Sequence, residues 1–417
     1  MKIERDKYLN QLIKRKHSGM IKIVSGVRRC GKSFLLFKLF KEHLLEAGVA
    51  EDHIICTALD SREEQQYRDP DVYYAYVKSR ILDEEMYYVL LDEVQMMDDF
   101  ASVLNGLMRI DNLDIYVTGS NSRFLTTDVV TEFRGRGEEV RVFPLSFAEF
   151  YSTKECSWHD AWREYMVYGG MPHVLTWDEP EQKMKYLQDL FLETYLRDII
   201  ERNGLKREEE LEELVRIVAS GIGGLLNPHK LANTFASVKH AQLSAPTIKL
   251  YLDHLQNAFI INKAERYDIK GKQYINSPFK YYFVDPGLRN ACIRFRQIEE
   301  THLMENIIYN ELMMRGYQVD VGVIGIDKKD KQGNRERKQL EVDFVANKGS
   351  ARFYIQSAYA IPTREKREQE ERSLLAIRGA FQKVLIVGDA GISHYDDNGV
   401  LILKLEDFLL SKNHLIL

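Results

Sequence analysis

No apolar run in the 417-residue chain approaches the ~18 consecutive residues that a membrane-spanning helix requires. The N-terminal stretch MKIERDKYLNQLIKRK holds no apolar segment either, so no secretory leader is expected there and a cytoplasmic protein is the working expectation. Cysteine is scarce. The four present, Cys30, Cys56, Cys156 and Cys292, lie far apart without a CxxC pair, which argues against a zinc site and against a disulfide framework. The eleven histidines show no metal-ligand spacing. Charge of one sign is also lacking. With a formal net charge of −5, nothing global demands nucleic acid, and any such contact must come from a local patch. Internal repeats are absent.

What is present is a globular composition, 45% apolar and 29% charged, in a chain long enough for two or three domains. A short helix is predicted over 4–16, with Tyr8, Leu9, Leu12 and Ile13 on one face. Strands and helices then alternate. Strands are predicted at 20–25, 53–60, 87–91, 114–118 and 139–143, and helices at 32–46, 71–82 and 98–109. Within 32–46, Leu35, Leu36, Leu39 and Leu45 are expected to face inward. Such alternation predicts an α/β fold, a parallel sheet with helices on both faces. From about residue 145 the pattern turns helical, with long helices at 181–202 and 208–219. Two short helices, 228–235 and 247–256, then precede a hairpin of 258–267 and 273–284, the order of a winged helix-turn-helix. A smaller mixed α/β region follows, with helices at 304–315 and 365–377 and strands at 317–323, 341–346, 352–358 and 383–387. The charged stretch 327–339 carries both signs and reads as a solvated loop.

Residues 26–33, GVRRCGKS, match G-x-x-x-x-G-K-[ST] between an apolar strand and an amphipathic helix. Gly26 and Gly31 permit a tight turn, so the amides of Gly26, Val27, Arg28, Arg29, Cys30, Gly31, Lys32 and Ser33 can converge on a phosphate. The helix starting at Lys32 adds its positive end. Lys32 is expected to neutralise the β- and γ-phosphates and Ser33 to ligate magnesium. Arg28 and Arg29 either add phosphate affinity or stay solvated, and Cys30 reads as a small filler. In YYVLLDEVQ (87–95), an apolar strand ends in an acidic pair: Asp92 to hold magnesium, Glu93 to orient or deprotonate the attacking water. If the strand before VTGSNS (117–122) lies between these two, Ser120 or Asn121 faces the γ-phosphate. Arg134 and Arg136 in FRGRG (133–137) are candidates for an arginine acting in cis or from a neighbouring subunit, which would make the protein a homo-oligomer.

With these residues, the chain resembles a family of bacterial and archaeal AAA-type P-loop ATPases. Such proteins follow the ATPase domain with a helical and winged-helix region and an uncharacterised C-terminal domain. The matching stretches are GVRRCGKS, LLDEVQ, VTGSNS, FRGRG followed by FPLSFAEF, YGGMP (168–172) and EVDFVA (341–346). The resemblance implies an added strand between the Gly26 and Asp92 strands, and nucleotide roles for Lys32, Ser33, Asp92 and Glu93. It also implies adenine over guanine, in keeping with the absence of an N-K-x-D pattern, hence ATP with Mg2+. The division it suggests is an ATPase domain over 1–150, a helical region over 151–205, a winged-helix-like domain over 206–297 and a C-terminal domain over 298–417.

The last region resembles the PD-(D/E)xK nuclease core. Glu305, Asp343 and Gln356 fall in the required order, but an amide replaces one carboxylate and Ala358 stands where the lysine belongs, so a nuclease-like shell without cleavage is expected. The winged-helix candidate offers DNA a thin basic patch within residues 228–284: Thr247, Lys249 and His254, flanked by Lys239 and His240 and opposed by Asp253. Three readings result. The chain is an ATP-driven switch or motor coupled to the later modules, a nuclease-ATPase that processes nucleic acid, or a regulatory ATPase that binds a protein partner without DNA.

Overall fold

The computed structural model describes residues 3–120, 136–238, 243–329, 335–389, 391–411 and 415. The chain forms two compact units, Met1–Pro144 with Asn257–Phe259, and Leu145–Gln256 with Ile260–Leu417. Among the described residues no helix is long and apolar enough to cross a membrane.

The first unit is built on a five-stranded sheet in the order β2-β3-β4-β1-β5. These are β1 (Ile21–Ser25), β2 (Ile54–Ala58), β3 (Tyr87–Asp92), β4 (Leu113–Gly119) and β5 (Gly137–Arg141). Every pairing is parallel. Helices flank the sheet, which is why β1 and β3 are buried along their whole length and read as continuous apolar runs. The one basic residue in β1, Lys22, is buried and ion-paired with Asp114 of β4, which also accepts from Tyr116 Oη at 3.0 Å. A charge can sit there because its partner sits there too.

The helix over 32–46 buries Leu35, Leu36 and Leu39 as expected but departs at its far end. Its stretch Leu35–Phe40 is π-helical and turns less per residue than an α-helix, so Leu36, Phe40 and Leu44 stack on the buried side. Leu45, expected inward, is 39% exposed.

The second unit contains an eight-stranded mixed sheet in the order β12-β13-β11-β10-β9-β8-β6-β7. Its strands are β6 (Ile261–Asp268), β7 (Gln273–Phe283), β8 (Gln318–Lys329), β9 (Arg335–Lys348), β10 (Ala351–Ala358), β11 (Gln382–Val387), β12 (His394–Tyr395) and β13 (Val400–Lys404). The hairpin expected as a wing, β6–β7, is antiparallel, and β6 joins β8 in parallel through Arg266↔Val321. The charged stretch at 327–339 is not a loop at both ends. The β8–β9 ladder continues through it, pairing Asp327 with Arg337 and Lys329 with Arg335. A two-stranded ribbon is held by its backbone and needs no apolar side chain to extend, so hydropathy gives it no signal.

The YGGMP motif is explained by packing. The helix Trp158–Tyr168 ends at Gly169, whose φ is +71°. A Cβ on Gly170 would lie 2.1 Å from the carbonyl oxygen of Leu145. Gly170 donates its amide to Asp285 Oδ2 at 2.6 Å, and Asp285 Oδ1 caps the helix Pro286–Cys292 by accepting from Leu288 at 2.9 Å. Asn290 of that helix donates to the carbonyls of Met166 and Val167, both at 2.9 Å. One aspartate and one asparagine thus seal two helix ends against each other, and only glycine leaves room for the approach.

Gly170→Ala should therefore destabilise the protein by about 3 kcal/mol through overpacking, read as a lower urea midpoint. Gly391→Ala, where nothing lies within 4 Å of the added methyl, should stay within about 0.5 kcal/mol of the parent. Equal midpoints for the two variants would refute the clasp.

Candidate nucleotide site

The glycine loop leaves β1 at Ser25 and enters the helix at Lys32. Gly26 has φ +142°, and a Cβ there would lie 2.1 Å from the carbonyl oxygen of Val142, so glycine is required. Gly31, at φ +100°, turns the chain into the helix. Arg29 also holds a positive φ of 61° and is exposed, while Arg28 is half-buried. Cys30 is fully buried, its Sγ 3.5 Å from the Val142 carbonyl, and burial pushes its thiol pKa up, which keeps it a neutral filler. The Lys32 side chain is buried and folds back onto its own loop, donating to the carbonyls of Gly26 at 2.9 Å and Val27 at 3.1 Å.

Because β4 lies between β1 and β3, the ends of all three strands converge near the loop. Ser33 opens the helix close enough to Asp92 to help hold its charge. Thr118 at the end of β4 donates its hydroxyl to Asp92 Oδ1 and accepts the Glu93 amide at 3.0 Å. Burial raises the pKa of Asp92, against Thr118 and Ser33, which stabilise its charge. Glu93 sits in the left-handed region at φ 51°, a costly conformation for a residue with a Cβ. Its Oε2 accepts from Gln95 Nε2 and from Ser120 Oγ at 3.2 Å. Lys32, Ser33, Asp92, Glu93 and Ser120 are therefore gathered at one end of the sheet.

Other candidates fare differently. Asn121 and Arg134 lie outside the described residues. Arg136 is exposed, and its carbonyl accepts from Ile21, at the far end of β1 from the glycine loop. The four residue steps from Ile21 to Ser25 are about 13 Å of strand, too far for Arg136 to act on its own chain's loop. The arginine at the loop end of β5 is Arg141, stacked 4.7 Å from the Phe143 ring and 5.0 Å from the Phe259 ring. Sequence reasoning also missed Arg5, whose Nη1 and Nη2 donate to the carbonyls of Cys30 at 3.2 Å and Phe143 at 2.6 Å and brace the loop from behind. Thr118 was missed as well, although it lies two residues before Ser120 and so on the same strand face.

In the second unit, Lys280 of β7 is buried between Glu305, at 2.9 Å, and Glu341, at 2.7 Å. The carboxylates hold its pKa well above the usual lysine value despite burial. Glu305 Oε1 also accepts from Tyr282 Oη at 2.6 Å. Asp343 Oδ2 accepts from the Ser357 amide at 2.9 Å and hydroxyl at 2.8 Å, and burial, aided by nearby Glu305, raises the Asp343 pKa to about 7. Gln356 turns its Oε1 to Ser373 Oγ at 3.2 Å and to the Asp343 amide. Ala358 is buried in an apolar cluster with Val345 and Leu385. Among the described residues no three His, Cys, Asp or Glu side chains are grouped to hold a metal. In the winged-helix candidate, the helix Ala245–Asn257 exposes Lys249 but buries His254, which removes that histidine from any basic patch. Lys239 and His240 lie outside the described residues.

Residues 18–151 match the AAA domain family, and residues 159–299 match a domain of unknown function. An uncharacterised protein of Haemophilus influenzae is 35% identical over 417 residues, 98% of each chain. The uncharacterised protein MJ1544 of Methanocaldococcus jannaschii is 24% identical over 413 residues, covering 95% of this chain and 86% of that one. Among solved structures, the Aeropyrum pernix ORC1 protein in complex with DNA aligns over 70% of this chain and 92% of its own, at 12% identity and a TM-score of 0.30. Cdc6p of Pyrobaculum aerophilum aligns over 71% and 94%, at 11% identity and a TM-score of 0.30. With an AAA domain in its first unit and 35% identity along nearly its whole length, the chain belongs to the family of AAA-domain proteins that includes the Haemophilus influenzae protein.

Proposed function

We propose that the protein is a magnesium-dependent ATPase whose first unit acts as a switch or motor for the modules that follow it. The observation that carries this reading is the convergence of the glycine loop and the acidic strand end, with Thr118 of the intervening strand binding both Asp92 and the Glu93 amide beside Lys32 and Ser33. A hydroxyl and a carboxylate facing each other are hard oxygen donors suited to Mg2+, which when bound would neutralise charge on the β- and γ-phosphates. Lys32 would exchange the Gly26 and Val27 carbonyls for phosphate oxygens, a stronger, charge-assisted pairing. Glu93 would take the proton of the attacking water. An arginine acting on the γ-phosphate would have to come from elsewhere than Arg136 of the same chain, and Arg136 donated by a neighbouring copy in a homo-oligomer meets that requirement.

The later modules are read as a helical region over 151–205, a winged-helix-like region over 206–297 and a nuclease-like region over 298–417. DNA contact through residues 228–284 rests on Lys249, and the burial of His254 favours the second reading, a regulatory ATPase that engages a protein partner. Binding of duplex DNA that weakens steeply with salt would decide for DNA. The nuclease-like region is read as inactive, because the Lys280 ammonium fills the space between Glu305 and Glu341 that a metal would need.

Three outcomes are expected. Lys32→Ala should lose ATP binding in equilibrium titration, while Glu93→Gln should bind ATP normally and hydrolyse it at least ~100-fold more slowly; a Glu93→Gln variant with full turnover would overturn the assignment. Plasmid DNA with manganese should remain intact, and cutting that disappears in Asp343→Ala would revive the nuclease reading. The third concerns pH. Folded Asp343 keeps its proton to about pH 7, against an ordinary aspartate value of 3.8, so its contribution to stability is complete below about pH 4 and is lost as pH rises to about 7. Asp343→Asn is neutral throughout, so its urea midpoint relative to the parent should climb across that window, whereas a constant difference would mean that Asp343 is already ionised.

A further inference from the structure

The Gln95 side chain lies in the short 3-10 turn Val94–Met96, two residues beyond Glu93. Its amide nitrogen donates to Glu93 Oε2 and lies 3.4 Å from Ser120 Oγ, which itself donates to the same Glu93 oxygen. Two donors therefore fix one oxygen of Glu93 and leave the other, Oε1, to act. The amide cannot be turned around, because its carbonyl would then face the carboxylate. That fixes where the carbonyl oxygen Oε1 of Gln95 points, and this atom is buried with no hydrogen-bond partner among the described residues. Leaving a buried acceptor unmet costs about 1–3 kcal/mol. An acceptor left open beside a carboxylate that is itself held in a strained backbone conformation suits a small donor with two protons to give.

We propose that Gln95 is a catalytic residue of the ATPase: its Oε1 accepts a hydrogen bond from the attacking water, and its amide nitrogen, with Ser120, aims Glu93 at the water's other proton. This rests on the ATPase reading above. In the step, the water oxygen bonds to the γ-phosphorus as the bond from that phosphorus to the β–γ bridging oxygen breaks. One water proton passes to the free oxygen of Glu93, the bond's electron pair leaves on ADP, and inorganic phosphate is released. Gln95 is neither protonated nor consumed. It fixes the water's orientation, and Ser120 couples that geometry to the end of β4.

The test is single-turnover ATP hydrolysis by the full-length protein with magnesium, alongside equilibrium binding of a fluorescent ATP analogue. Gln95→Leu should bind the analogue within about twofold of the parent and lower the hydrolysis rate ~10–100-fold, with KM unchanged. Gln95→Glu keeps the size but places a carboxylate beside Glu93. It should lower the rate and move the acidic limb of the pH–rate profile to higher pH, which a loss of packing alone would not do. Ser120→Ala should lower the rate less than Gln95→Leu, because the Gln95 amide still holds Glu93. A full rate in Gln95→Leu, or an unmoved acidic limb in Gln95→Glu, overturns the inference. Glu93→Gln, run in parallel, separates the two failures: if it too hydrolyses at the parent rate, the ATPase reading itself falls, and if it is inactive while Gln95→Leu is not, only the role of Gln95 falls.

Discussion

The order of three parallel strands governs this site. β4 separates β1 from β3, so the glycine loop and the acidic pair emerge two strand widths apart, about 9.6 Å. The intervening strand is also put to use. Thr118 binds the Asp92 side chain and the Glu93 amide, and Ser120, two residues on, binds the Glu93 side chain. Period-2 alternation thus lets one strand end hold both members of the acidic pair.

Much of this was legible before any coordinates. β1 and β3 are buried on both faces, so they read as unbroken apolar runs, and the glycine loop follows from residue types that its backbone geometry demands. What remained hidden depends on contacts distant in sequence. Arg5 reaches the loop from 25 positions upstream of Cys30, and Lys280 reaches Glu341 across 60 intervening positions plus the fold of the sheet. Gln95 was visible in LLDEVQ but carried no signal of its own, since an amide next to an acidic pair has many structural uses. Phase errors were local. The spacing points Leu45 inward because the π-helical stretch that favours Leu44 leaves no mark in it.

The second unit resolves its charges in another manner. Around Lys280 the acids Glu305 and Glu341 meet an ammonium rather than solvent, while burial raises the Asp343 pKa against the pull of the same lysine. The lysine that the nuclease pattern requires at Ala358 is thus absent there, and a lysine from β7 meets the carboxylates instead. Its ion pairs make it a structural member of the β7 edge. The YGGMP clasp follows the same economy, with Asp285 satisfying amides from two segments at once.

Arg141 stacks on Phe259, yet 117 positions lie between them in the chain, nearly all belonging to the other unit. The polypeptide leaves the nucleotide-site unit after Pro144, returns for three residues at Asn257–Phe259, and departs again. A fragment stopping at Pro144 would keep Phe143 but lose Phe259, one of the two rings on which Arg141 stacks.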